Sequence, residues 1–222
     1  MHVHPRDASG AEVLDAACVL AAVGSIHAAI PGVPVGVTTG LWAAGGDPEK
    51  RLALVSGWTG PYKPEFASVN MSEPGAAELA RLLGELGIAV EAGVWTVADA
   101  DALAEAVFAG GGFGVYGQPL RILVEPQDRS PEGAVALAAA VEAALDRHGF
   151  TAPRLHHGYG VATWRVLRAA VAMGRDIRVG LEDTVVRADG TLAAGNAELV
   201  RTAVALAVEG ESVGLAGGDA VV

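Results

Sequence analysis

The chain has 222 residues, 51% hydrophobic and 18% charged, with a mean hydropathy of +0.37; that composition supports a sizeable core and excludes a disordered chain or linker. Fifteen basic residues against twenty-six acidic ones leave a net charge of −11, which argues against nucleic-acid binding and against attraction to anionic membrane surfaces. Cys18 is the one cysteine, so an intrachain disulfide framework and a multi-cysteine zinc site are excluded, and a reducing cytoplasmic setting is expected.

The opening MHVHPRD lacks the basic start and apolar block of a secretory signal. Ala16 to Gly46 carries no formal charge, but Gly24, Pro31, Gly32, Pro34 and Gly36 interrupt it, so it does not read as a membrane span. In chain order, His2–His4 reads as the tail of a strand, followed by a helix over Ala11–Ile30 and a strand over Val33–Thr38. Next come a helix over Pro48–Trp58, a strand over Phe66–Asn70, a helix over Gly75–Leu86, a strand over Ile88–Val94 and a helix over Ala98–Phe108. After a flexible loop at Gly110 to Gly114, strands over Arg121–Glu125, Arg154–His156 and Ile177–Leu181 alternate with helices over Pro131–His148, Val161–Met173 and Asn196–Val208. Asp47-Pro48, Ser72-Glu73-Pro74 and Ser130-Pro131 are helix starts, a small polar cap before a proline suited to the first turn.

Repeated strand and helix mean a parallel sheet with crossover helices in an α/β fold. The count is seven βα units, where a closed (β/α)8 TIM barrel needs eight. An open doubly wound sheet would carry a glycine-rich phosphate fingerprint after its first strand; here GGGFG follows a helix. The expectation is therefore one domain over 1–222, a TIM barrel lacking its first βα unit in this chain. Its exposed sheet edges would favour a homo-oligomer.

Chemistry-bearing residues sit at the two ends of the chain. His2 and His4, two apart on a strand, point to one face and can share a metal ion; a frayed terminus is the competing reading. In RVGLED, Arg178, Gly180 and Glu182 alternate with Val179 and Leu181, and Asp183 follows. On a barrel strand Arg178 and Glu182 would face inward, where an unpaired charge is too costly to be filler; an internal salt bridge is the alternative. Two imidazoles and a carboxylate suit zinc, and ferrous iron equally. Arg178 and Asp183 would then remain for anion binding and proton transfer.

The segments HVHPRD, GVPVGVTTG, FASVNMSE, GIAVEAGVWT, and RVGLEDT followed by NAELV resemble the beta-keto acid cleavage enzymes, whose founding activity is 3-keto-5-aminohexanoate cleavage, over essentially the whole chain. The resemblance implies a zinc-dependent (β/α)8 barrel that condenses a beta-keto acid with acetyl-CoA and, by retro-Claisen cleavage, yields acetoacetate and a new acyl-CoA. It implies that His2, His4 and Glu182 hold Zn2+ and that Arg178 and Asp183 belong to the catalytic centre. Thr38 falls at a proton-relay position with Gly40 beside it, Ser68 and Asn70 match substrate contacts, and Glu91 matches an active-site acid. Gly93 stands where many members have a second acid. It also implies association between barrels.

Other residues carry open readings. His156 and His157 begin a loop, HHGYG, either lining a pocket or serving as ordinary hydrogen-bonded histidines. Trp42, Trp95 and Trp164 read as core packing or pocket walls. Arg6, Lys50 and Arg51 read as solvated surface charges or as partners for the anionic CoA. Two other function classes stand beside the first: a metal-dependent hydrolase of amidohydrolase type, disfavoured because IAVEAGV and RILVEP carry no histidine, and an inactive truncated homologue.

Overall fold

The computed structural model describes residues 1–109, 113, 117–128 and 130–216; Gly110, Gly111, Gly112 and Gly114 of the expected loop lie outside them. Strand and helix alternate: β1 (His2–Val3), α1 (Ala16–Ala29), β2 (Gly36–Thr38), α2 (Pro48–Val55), β3 (Phe66–Asn70), α3 (Ala76–Glu85), β4 (Ala89–Val94) and α4 (Val97–Ala104). Then follow β5 (Arg121–Val124), α5 (Pro131–Arg147), β6 (Arg154–His156), α6 (Thr163–Ala172), β7 (Asp176–Ile177) and α7 (Asn196–Ala216). The seven strands are ordered as they occur in the chain. The β1–β2, β2–β3, β3–β4 and β6–β7 pairs are parallel, which requires the helical crossovers observed. No helix among the described residues is long and apolar enough to cross a membrane.

The chain forms two compact units, one of Met1–Gly93 with Ala98–Ile122, the other of Val94–Val97 with the chain from Leu123 onward. In the first, Thr38 pairs with Ser68 and Ser68 with Glu91, while Gly36 pairs with Phe66 and Phe66 with Ala89. The two-residue period of a strand therefore puts Gly36, Thr38, Phe66, Ser68, Asn70, Glu91 and Gly93 on one face. The other face, Val37, Ala67, Val69, Val90 and Ala92, is fully apolar and buried, with Leu79, Ala80 and Leu83 of α3 buried among the same core residues. Gly36 makes room for the Phe66 ring, since a Cβ there would lie 1.9 Å from it. The Arg121 guanidinium covers that ring at 5.0 Å from its centroid.

In the second unit α6 packs against both α5 and α7, and Trp164, Leu167, Leu199 and Ala203 form a core onto which Ile177 and Val179 pack. Behind β6 the buried Glu142 carboxylate accepts hydrogen bonds from Arg154 at 2.5 Å, Arg175 at 2.7 Å and His156 Nε2 at 2.8 Å. Burial pushes its pKa up, but the bonds from His156 and Arg154 outweigh it and draw it down from 4.5 to about 2.

The strand expected over Val33–Thr38 is confined to Gly36–Thr38, the helices expected over Pro48–Trp58 and Ala98–Phe108 end at Val55 and Ala104, and that expected over Asn196–Val208 runs to Ala216; two further elements differ for clear local reasons. The helix expected over Ala11–Ile30 starts at Ala16, because Asp15 caps it by accepting from the Ala17 and Cys18 amides. Residues 5–13 fold back on themselves instead, with Val13 N–H donating to Pro5 O and Gly10 at φ +86°. The strand expected over Ile177–Leu181 ends at Ile177. Beyond it the Asp183 and Thr184 amides both donate to Gly180 O, and the Leu181 amide is taken by Asn196 Oδ1. The alternation read into RVGLED is replaced by a turn: Val179 packs inward, Leu181 is exposed, and Arg178 and Glu182 meet four residues apart.

Gly36→Ala is expected to cost about 1–3 kcal/mol through overpacking against Phe66, read as a lower urea midpoint at unchanged slope. Because the folded pKa of Glu142 lies below its ordinary 4.5, its contribution is complete above that pH and is lost as pH falls toward about 2. Urea titrations from pH 5 to 2.5 should show that loss, and Glu142→Gln should flatten it.

Candidate functional site

In the first unit His2 lies on β1 and His4 just beyond its end, their rings edge to face with centroids 5.3 Å apart. The two-residue spacing thus brings the two rings together. A carboxylate faces Nδ1 of each: Glu12 Oε2 at 3.0 Å from His4 and Glu91 Oε2 at 3.6 Å from His2. The Nδ1–H of His4 directed at Glu12 sets its tautomer and turns its Nε2 lone pair outward, the arrangement in which histidines ligate metals. The donor set present thus fits a divalent ion.

Glu12 is shared. It also accepts from the Trp42 indole N–H at 2.8 Å and from Arg6 at 2.7 Å. Burial raises its pKa, but the bonds from Trp42 and His4 outweigh that and hold the carboxyl below its usual range. Trp42 stacks on His4 at 6.2 Å between ring centroids and is 52% exposed, so it is a site wall rather than core. Gly40 permits this, because a Cβ there would lie 2.2 Å from the Trp42 ring.

Glu91 is buried and ion-paired with Arg121. Burial pushes its carboxyl up, and the contacts with His2 and Arg121 overcome that and keep it charged. Thr38, buried in the neighbouring register to Ser68, accepts the Gly40 amide at 3.1 Å. Asn70 Nδ2 donates to Glu73 at 2.9 Å, and Glu73 also accepts the Leu41 amide and pairs with Arg51. Arg51 is fully buried and donates to Pro74 O at 2.5 Å; burial lowers its pKa against the pull of Glu73. It is a loop clasp, neither of the surface roles read for it from sequence. A Cβ on Gly93 would approach Asn70 Oδ1 to 2.8 Å, so Asn70 occupies the space a second acid would need.

In the second unit Arg178 pairs with Glu182 and lies 3.7 Å from Asp183 Oδ1. Asp183 is buried; its Oδ1 faces His157 Nδ1 at 3.0 Å. His157 Nε2 faces Glu125 Oε2 at 3.5 Å, and that oxygen accepts the Trp95 indole N–H at 3.1 Å. Trp95 is thus hydrogen-bonded at the site, whereas Trp164 is core as read. Glu125 and Arg121 were not singled out from sequence. The signal was there in RILVEP, where charged residues four apart fall on one side of an apolar strand. His156 points instead into the Glu142 cluster.

A family model described as beta-keto acid cleavage enzyme matches residues 1–213. Two structures of ObcA are similar at 16% identity over 97% of this chain: the apo form at TM-score 0.66, and a ternary complex with a C4-CoA adduct and oxalate at TM-score 0.63. The chain spans 58% and 59% of those ObcA chains. A 3-dehydroquinate dehydratase from Geobacillus kaustophilus HTA426 is similar at TM-score 0.52 and 13% identity, over 89% of this chain and 76% of that one. At such identities the likeness to these structures is one of fold. No curated protein matches in sequence.

Glu12→Ala removes the shared acceptor of His4, Trp42 and Arg6. It should cost about 1–3 kcal/mol in urea denaturation and shift the tryptophan emission, and the shift should vanish when Trp42→Phe is combined with it.

Proposed function

The chain belongs to the beta-keto acid cleavage enzyme family, and from that premise we propose that it is an acetyl-CoA-dependent acyltransferase, converting a beta-keto acid and acetyl-CoA into acetoacetate and a new acyl-CoA. The match over residues 1–213 carries this reading, since it takes in both HVHPRD and RVGLEDT. The CoA adduct named for the ObcA complex supports a CoA thioester as co-substrate. We read the fold as that of a (β/α)8 barrel of which these 222 residues carry seven units.

In this reading His2, His4 and Glu182 hold zinc, which when bound polarises the keto oxygen. The residues of the chain do the rest. Arg178 receives the substrate carboxylate on its planar guanidinium, releasing Glu182 from their ion pair. Asp183 removes the α-proton through Oδ2, a buried oxygen with no hydrogen-bond partner among the described residues. The carbon so activated attacks the acetyl thioester. CoA passes to the other acyl group, and the retro-Claisen cleavage releases acetoacetate. Thr38 relays protons beside Gly40, and Ser68 and Asn70 contact the substrate, the Asn70 amide held by Glu73. Glu91 acts through His2 and is kept anionic by Arg121. Burial of Thr38, Ser68, Glu91 and Asp183 strengthens their interactions relative to water.

The purified protein should contain one zinc per chain by elemental mass spectrometry and form acetoacetate from acetyl-CoA with at least one member of a beta-keto acid panel. His4→Ala should lose both properties, and Arg178→Ala should lower kcat/KM about 10²–10³-fold with metal retained. Full turnover without metal, or a metal-loaded protein that forms no acetoacetate with any panel member, would refute the proposal.

A further inference from the structure

We infer that His157 is a positioning residue that fixes Asp183 as a directed base. This rests on the reading above of Asp183 as the proton acceptor.

The loop HHGYG and the first residue of α6 hold Asp183 through three hydrogen bonds. His157 Nδ1–H donates to Oδ1 at 3.0 Å, the Gly160 amide donates to the Asp183 carbonyl at 2.7 Å, and Thr163 Oγ1 donates to the same carbonyl at 3.4 Å. The loop is itself anchored. The His157 amide donates to Val124 O at 3.2 Å. Gly158 lies so close to α6 that a Cβ would come within 2.7 Å of Thr163 Cα. His157 is 2% exposed, with Glu125 facing its second nitrogen at 3.5 Å. A buried imidazole hydrogen-bonded to one carboxylate and facing a second, on a loop anchored by its own backbone, is restricted in rotation.

The consequence for Asp183 is directional. Oδ1 is engaged by His157 and approached by Arg178 at 3.7 Å, whereas Oδ2 is buried and without a hydrogen-bond partner among the described residues. A carboxylate held at one oxygen is hindered from turning about its Cβ–Cγ bond, which favours one direction for the lone pairs of the other. Freezing that rotation before the substrate arrives removes part of the orientational cost of proton transfer. His157 need not touch the substrate.

The test compares His157→Ala, His157→Asn and His157→Gln with Asp183→Asn in the acetyl-CoA-dependent assay, with zinc content measured on every variant. The Asn amide can place an N–H near the Nδ1 position; the Gln amide reaches toward Nε2. His157→Ala should lower kcat about 10²-fold with KM for the keto acid and zinc content little changed. His157→Asn should recover about tenfold of that loss, and His157→Gln should not. Equal losses in all three variants, a loss confined to KM, or unchanged kcat in His157→Ala beside a dead Asp183→Asn would overturn the inference. An active Asp183→Asn would instead overturn the base assignment. Independently of turnover, a ¹⁵N-histidine NMR spectrum of the wild type should show a slowly exchanging Nδ1 proton of His157 that disappears in Asp183→Ala. Its absence from the wild type defeats the inference even if no keto acid on the panel is turned over.

Discussion

A charged side chain enclosed by protein has to be neutralised where it stands, because removing a carboxylate or guanidinium from water costs several kcal/mol that only a well-placed partner offsets. In the first unit the parallel register makes this constraint unavoidable. It sends apolar residues to the helix-covered side of β2, β3 and β4 and leaves the polar ones on the opposite face. Glu91 is paired with Arg121 and faces His2, and Arg51 is clasped by Glu73 and Pro74. In the second unit Glu142 gathers Arg154, Arg175 and His156. Such pairs add little net stability compared with a well-packed apolar core, yet each is costly to break from one side. Their effect is to fix geometry.

That fixed geometry has a repeated form. Glu12 takes one nitrogen of His4, Glu91 faces one nitrogen of His2, Glu73 takes the amide of Asn70, and His157 takes one oxygen of Asp183. In three of these a buried or half-buried neighbour occupies one polar atom of a residue the family pattern places in the site, and thereby orients the atom on the other side; Glu91 lies 3.6 Å from His2. The supporting groups come from loops and neighbouring strands, so their pairing depends on tertiary structure rather than on spacing within a motif.

This is why the sequence was informative about some residues and mute about others. Phe66–Asn70 and Arg154–His156 are strands with the predicted limits, each a short segment between turn residues in a repeating strand–helix pattern. His2 and His4 bring their rings together across a two-residue spacing at the end of β1. RVGLED has the same alternating look, but Gly180 turns the chain and Asn196 Oδ1 takes the Leu181 amide, a partner fifteen residues away in sequence that no local pattern reveals. Trp42 reads as core by its size, yet its indole N–H found Glu12 and its ring found His4. Glu12, after Gly10 and Ala11, belongs to no motif. Arg51, in a helix with the polar start PEKR, reads as surface and is fully buried.

The glycines sharpen the same point. Gly36, Gly40, Gly93 and Gly158 are needed for the space they leave rather than for an unusual backbone, since none has a positive φ. Each vacates the volume that a specific neighbour fills: the Phe66 ring, the Trp42 ring, the Asn70 amide and the backbone of Thr163. A larger residue at any of them would displace a group that binds or braces a site residue while leaving the strand and helix pattern intact. Substitutions at these positions therefore bear on function through packing, and a family pattern made only of catalytic and metal-ligating residues would not register them.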